Sequence, residues 1–492
     1  MKDNRTSVKR SLFVSAIALT LTAALLIGST FAWFTSTATT SVSDVTAGTL
    51  KVEIVNSDGS ELENNTVKFV DKDGSSNILW EPGVTFTTKE FKIKNAGNLA
   101  LKYKFQLGMN VTDANKALYN AITFYIAYKD ANGTEQRVDV SQYEGHLAGN
   151  ANSDAFYLIG EMNPAATEGQ GQTLSDLAIA VVATQDTVEN DSNGNDYDKD
   201  AEYPISVTTG DELQAVVSNA TAPVNIVLTN NITTNNFVIP ADKDVTLDLN
   251  GRTVKNAETH TILNQGHLTL TDSSADKSGQ IISLKGNTAA LRNGDNAVCV
   301  VEGGTISRDG ADGNTWHVVE NFGKMTFNGG KVVLKNGNGF AITNGWNYPI
   351  PGFVPTTHAV MEINALELDT DSSGIKNCKY GDLTVNDVTV TSTGYWALSN
   401  DYLGTAVING GTLTSNSPKS LGAVSNGAAM TVNGGTFDGK DGQVKAGLVI
   451  QSYATSTVLN GGTFTNMNVS ALSSYVGTGH TAQQSGTSVI IK

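Results

Sequence analysis

The stretch Val407–Thr414 reads VINGGTLT, returns as TVNGGTFD at Thr431–Asp438, and returns again as VLNGGTFT at Val458–Thr465. Each copy sets Asn-Gly-Gly between two short segments in which apolar and polar residues alternate. Such alternation marks strands with one buried face, and a fixed period marks a repeat architecture. Glu302 and Asn328 are likewise followed by Gly-Gly, and degenerate copies stand at Asn250, Asn364 and Asn386. From Asn364 onward the steps are 22, 23, 24 and 27 residues. The longer step between Asn328 and Asn364 contains Gly345–His358, which reads as a loop insertion.

A second series keeps phase with the first: Asn264, Asn293, Asn321, Asn344, Asn377, Asn400 and Asn426, with Gln451 in eighth place. Each follows a short apolar strand and precedes a turn. A period of this length, holding several strands of three to five residues, is one coil of a parallel β-helix. A leucine-rich repeat would show a fixed leucine frame, and a propeller needs about 40 residues per blade. Equivalent residues of successive coils then stack about 4.8 Å apart. The Asn264-to-Gln451 series is predicted to form an amide ladder, which satisfies groups that are costly to bury unpaired. The Gly pairs are expected to supply positive φ where the coil turns. About ten coils between Pro223 and Lys492 make a rod roughly 45–50 Å long. Asp211–Asn219, entered through TGDEL, reads as a capping helix at its start.

The chain has 492 residues, 49 of them Gly, and a formal net charge of −16. That balance, with no basic stripe, argues against a nucleic-acid partner. The N-terminus reverses the sign. Lys2, Arg5, Lys9 and Arg10 precede the apolar run Leu12–Ile27, and Thr30 and Ala32 are small residues placed for cleavage between Ala32 and Trp33. Residues 1–32 are therefore expected to be a signal peptide. Leu12–Phe34 is also long enough to remain as a membrane anchor. No second apolar run follows, so the membrane enters only through this segment, and the mature protein is expected outside the cell.

Residues 33–188 read as a separate antiparallel β-sandwich. TLKVEIV, FTTKEFKIKN, LALKYKFQLGM and AITFYIAYKD alternate with period two, with Pro82-Gly83 and Gly97 between them. Asp113–Asn120 reads as a short helix. The export segment ending FAWFT, then AGTLKVEI (Ala47–Ile54), Trp80–Leu107 and Ala180–Asp198, resembles secreted proteins of the TasA/camelysin type over about residues 33–205. The resemblance implies a jelly-roll-like sandwich that assembles into extracellular matrix fibres, one subunit's N-terminal strand completing the next subunit's sheet. Phe34–Val45 is the candidate donor strand; the alternative is that it folds onto its own domain. Camelysins carry a peptidase label, but His146, His260, His267, His317, His358 and His480 include no pair four residues apart, so no H-E-x-x-H motif supports it.

Residues 208–492 resemble the pectin-lyase-like right-handed parallel β-helices, with Asn-Gly-Gly coils similar to those of secreted adhesins. The resemblance implies a fold and leaves activity open. Between the two domains, residues 189–207 are an acidic linker. Asp191, Asn193, Asn195 and Glu202 fall at positions 1, 3, 5 and 12 of a calcium loop, but Asp196 replaces the required Gly. A solvated linker is the alternative, and no other cofactor is expected.

No catalytic residues emerge. The β-helix carboxylates are scattered, and after Arg252 the arginines are Arg292 and Arg308 alone. Asp369 and Asp371 are close in sequence, but no Arg lies near in the adjacent coils. Aromatics are more suggestive: Trp346, Tyr402 and Tyr453 each lie two residues after a ladder position, and Trp316, Phe340 and Trp396 lie four or five before one. An exposed stripe of rings is a candidate glycan contact; ring stacking that only caps the turns is the alternative. Cys299 and Cys378, about three coils apart by ladder count, lie too far apart for a disulfide. These features point to an exported all-β protein of a cell surface or matrix. Its sandwich would serve self-association and its β-helix would display a surface to glycan or host. A polysaccharide lyase or hydrolase is the competing reading.

Overall fold

The structure is a computed structural model. It describes residues 49–492 except 64–66, 77, 110, 131, 175–176, 187–201, 275, 310–315, 338, 347–354, 356 and 441–444. The export segment with Ala32 and Trp33, the strand Phe34–Val45, and Asp191, Asn193 and Asn195 of the calcium-type loop lie outside the described residues. Glu202 is described and exposed.

The N-terminal region is antiparallel. Its strands are β1 (Val52–Asn56), β2 (Phe69–Val70), β3 (Thr85–Thr88), β4 (Phe91–Asn95), β5 (Leu101–Gly108), β6 (Ile122–Lys129), β7 (Glu135–Asp139), β8 (Glu144–Leu147), β9 (Phe156–Met162) and β10 (Ala178–Gln185). One sheet runs β1-β4-β9-β3-β2, with β6 on β9 and β7 on β6; the other runs β10-β5-β8. The alternation read from sequence is the alternation of burial: in Phe91–Asn95 every second residue is buried. Phe91, Phe105 and Phe156 meet edge-on or tilted in a shared core, with centroids 5.1–6.2 Å apart. Lys116–Ala121 forms the short helix expected nearby. Among the described residues β10 pairs on one side only, with β5, while β1 pairs with β4 and is bridged on its other edge at Val55 by Glu61.

From Ile205 the chain becomes a parallel β-solenoid of about ten coils. Each coil contributes one strand to each of three sheets of eleven, twelve and nine strands. Apolar side chains, mostly aliphatic, fill the interior from Val207 to Ile491 as one cluster. Both ends are closed. The helix Gly210–Asn219 starts at Thr209, whose side chain accepts from the Glu212 N–H. From it Gln214 pairs with the first strand of the nine-stranded sheet as a strand would, donating to Val238 O at 3.0 Å and accepting from Val238 N at 2.8 Å. At the far end the hairpin Ala482–Ser485 and Ser488–Ile491 pairs antiparallel with Gly462–Phe464, ending the parallel register of the twelve-stranded sheet.

The Asn-Gly-Gly corner has a separate reason for each residue. A Cβ on the first Gly would collide with the backbone carbonyl of the corner residue one coil below: Gly410 with Asn386 O at 2.6 Å, Gly434 with Asn409 O at 2.5 Å. The second Gly takes positive φ, 97° at Gly411 and 102° at Gly435. The Asn joins a column on the solenoid exterior. Asn460 donates its Nδ2 to Asn433 Oδ1 (2.9 Å), Asn433 to Asn409 (2.7 Å), Asn409 to Asn386 (2.7 Å), Asn386 to Asn364 (2.7 Å), Asn364 to Asn328 (2.9 Å), and Asn328 to the Glu302 carboxylate (2.8 Å). Asn250 stays outside this column and donates to Leu228 O.

The second Asn series stacks inside the solenoid, at the corner between the nine- and eleven-stranded sheets. Asn264 donates to Asn293 (2.7 Å), Asn293 to Asn321 (2.8 Å), Asn321 to Asn344 (2.8 Å), Asn344 to Asn377 (2.9 Å), Asn377 to Asn400 (2.8 Å) and Asn400 to Asn426 (3.0 Å). The same Nδ2 groups also donate to backbone carbonyls of the next coil, such as Val298 O and Thr405 O. Gln451 does not take the eighth place. The register pairs Asn426 with Ile450, one residue earlier. Asn426 therefore turns its Nδ2 to Ser456 O and Thr457 Oγ1, and Gln451 donates to Ser425 Oγ instead.

Cys299 and Cys378 are free and buried, and burial pushes both thiols up to about 12.

Candidate functional site

The nine-stranded sheet carries the most distinctive outer surface. One residue before each inner-ladder Asn points outward, because side chains alternate along a strand. The register aligns these residues in a column: Arg292, Glu320, Thr343, Lys376, Ser399 and Ser425. Outward residues on a solenoid are ordinarily wet, yet Glu320, Thr343, Ser399 and Ser425 are buried. Rings stand on both flanks of the column.

On the flank entering each strand, Trp316 stands beside His317 (5.6 Å), and His317 beside Phe340 (5.7 Å). Lys376 Nζ lies 4.8 Å over the Phe340 ring. Further along the axis Tyr395 and Trp396 pack edge to face at 5.3 Å. On the flank leaving each strand, Phe322 meets Trp346 at 5.5 Å, and Trp346 meets Tyr380 at 6.5 Å. Tyr402 and Tyr453 continue this edge, 59% and 56% exposed. The three aromatics singled out from sequence thus share one corner of the solenoid. Trp346 is half-buried between its neighbours, while the two tyrosines face solvent. Phe322 and Tyr380, one and three residues past their ladder Asn, belong to the same edge. A search at a fixed offset of two residues misses them, because the turns differ in shape from coil to coil.

The charges on this face are paired. Arg292 reaches Glu320 at 3.1 Å and stacks 4.8 Å over Phe322. Lys376 holds Asp401 at 2.9 Å. Burial raises the Glu320 carboxyl above its ordinary range, and Arg292 pulls the other way. His260 and His317 each accept a backbone N–H of the following coil at Nδ1, from Ala289 (2.8 Å) and Phe340 (3.1 Å). Burial lowers both imidazoles to about 4; the charge of Arg292 assists at His260 and that of Lys376 at His317. Both rings are therefore neutral inter-coil acceptors at neutral pH.

Asp369 lies on the twelve-stranded sheet and holds Lys335 at 2.7 Å, and Asp371, one residue past the same strand, accepts from the Asn336 N–H. Among the described residues no group of three His, Cys, Asp or Glu is placed to hold a metal ion. The polar column is thus largely closed to solvent, and the exposed rings of this face are Tyr395, Tyr402 and Tyr453.

No family model matches the chain, and no curated protein matches it. Among solved structures, the PapD-like domain 7 of human CEP192 aligns at 16% identity over 31% of this chain and 82% of that one, with a TM-score of 0.14. A likeness at that level carries no argument about this protein. The chain's own architecture stands as the conclusion: an antiparallel β domain joined to a parallel β-solenoid.

Proposed function

We propose that this protein is an exported structural and adhesive component of a cell surface or extracellular matrix. The antiparallel domain serves assembly, and the solenoid is a rigid glycan-contacting display surface. The observation that carries the reading is the outer face of the nine-stranded sheet, where rings line both flanks and Tyr395, Tyr402 and Tyr453 are exposed over an unbroken core. Surfaces of this kind suit sugars, whose apolar faces stack on rings while their hydroxyls seek hydrogen bonds. The TasA/camelysin-type resemblance of residues 33–205 and the one-sided pairing of β10 support assembly by strand donation. The adhesin-like, pectin-lyase-like resemblance of the solenoid supports the display role.

Electron microscopy of the processed protein, with its N-terminus mapped, tests assembly. Fibres that vanish when residues 34–45 are removed support strand donation, and monomers at high concentration defeat it. The competing enzymatic reading rests on Glu320, a buried carboxyl beside Arg292. Turnover of pectic or other acidic glycans that is lost in Glu320→Gln would establish it over the structural role.

A further inference from the structure

Trp346, Tyr402 and Tyr453 belong to every second coil. Their strands are Phe340–Asn344, Leu398–Asn400 and Ala446–Ile450, and one coil intervenes in each gap, through Ser373–Asn377 and Gly422–Asn426. With coils about 4.8 Å apart, successive rings are offset by roughly 10 Å along the axis. All three lie at the corner between the nine- and eleven-stranded sheets. The intervening coil gives way to them. At Gly427 a Cβ would stand 2.6 Å from Tyr453 Cε2, so only glycine lets that ring lie against the coil below. Nearby charges are neutralised locally, Lys376 by Asp401 and His358 by Asp382.

We propose that this edge binds a neutral, extended, β-1,4-linked polysaccharide lying along the solenoid axis, one aromatic ring to each disaccharide. It rests on the reading of the solenoid as a glycan-contacting surface. In a β-1,4-linked ribbon successive sugars are flipped, so the same face of the chain recurs at every second ring. That repeat is close to the length of two coils. An aromatic on every coil would meet alternating faces, whereas one on alternate coils meets equivalent faces. The paired charges leave no excess to select an acidic sugar, and the two exposed phenol rings present flat apolar area with a hydrogen-bonding rim.

Binding of β-1,4-linked gluco-, xylo- and N-acetylglucosamine oligosaccharides of two, four and six units to the full processed chain, measured by calorimetry, tests this. For at least one series, affinity should rise in steps of roughly tenfold for each added disaccharide. Tyr402→Ala and Tyr453→Ala should each remove a step, while Tyr402→Phe and Tyr453→Phe keep it. Unchanged melting temperatures show that the variants fold. No binding by any series, a smooth rise with every single sugar, or affinity indifferent to the alanine variants would overturn the proposal. So would tighter binding of acidic than neutral chains. Fibre formation by the same variants separates the two readings: glycan binding without fibres defeats assembly alone, and fibres without glycan binding defeat this inference alone.

Discussion

Two columns of asparagine run the length of the solenoid, and they differ in nearly everything but residue type. The inner column, Asn264 to Asn426, is almost wholly buried, and each amide donates toward the C-terminus. The outer column, Asn460 back to Asn328, lies at the surface, and each amide donates toward the N-terminus. The inner direction is set by the carbonyls of the following coil, which claim the second Nδ2 hydrogen. The outer direction is set at its end. Glu302 can only accept, so Asn328 must donate to it, and every later amide follows suit. The same side chain is thus a core element in one place and a surface trim in the other.

The largest effect should come from the inner column. Asn377→Ala removes the donor to Asn400, Gly381 O and Thr405 O and the acceptor for Asn344. Leaving such buried groups unpaired costs on the order of 3–5 kcal/mol in sum, read by urea unfolding. The buried histidines come next, and they test whether other inter-coil acceptors behave like the inner column. Their folded pKa of about 4 lies below the ordinary value of 6.5, so the unfolded chain binds protons first. Their contribution is present above pH 6.5 and is lost as pH falls toward 4. His317→Gln, which keeps an acceptor, should flatten that part of the stability–pH curve. In the outer column Asn433→Ala should cost only about 1 kcal/mol. Asn433→Asp should cost more than the alanine, because it sets a carboxylate against Asn409 Oδ1, which now receives a donor. Smallest of all, Glu302→Gln should shift stability by less than about 0.5 kcal/mol, since an amide oxygen replaces the accepting carboxylate. Equal penalties for Asp at 433 and Gln at 302 would erase the proposed polarity.

Much of this was legible in the sequence. The two Asn series, the helical cap at Asp211–Asn219 and the separation of the cysteines follow from a period that the backbone spacing makes rigid. Gln451 misled because the strand ends at Ile450, opposite Asn426, and Gln451 already belongs to a longer turn, which a count along the chain cannot see. The direction of each ladder was invisible, since an amide's orientation is fixed by partners some 22–36 residues away. The first Gly of each pair was read for its freedom of φ, whereas its need is for the missing Cβ against a carbonyl of the coil below. Pairing in the antiparallel domain was also out of reach: β9 borders β3, β4 and β6, and no local pattern selects such distant partners. Of the ligand-facing surface, the rings were visible as residue types. Their exposure was not, because it depends on the shape of each turn and on what the neighbouring coils place beside it.

The opposed senses of the two columns bear on how such a protein changes over generations. Each amide is a small dipole, and each complete coil adds one pointing each way. Duplicating or deleting a coil therefore leaves the electric field along the rod nearly unaltered, and the caps at Gly210–Asn219 and Ala482–Ile491 need not adapt. Rod length becomes a quantity that recombination between near-identical Asn-Gly-Gly segments can tune one step at a time.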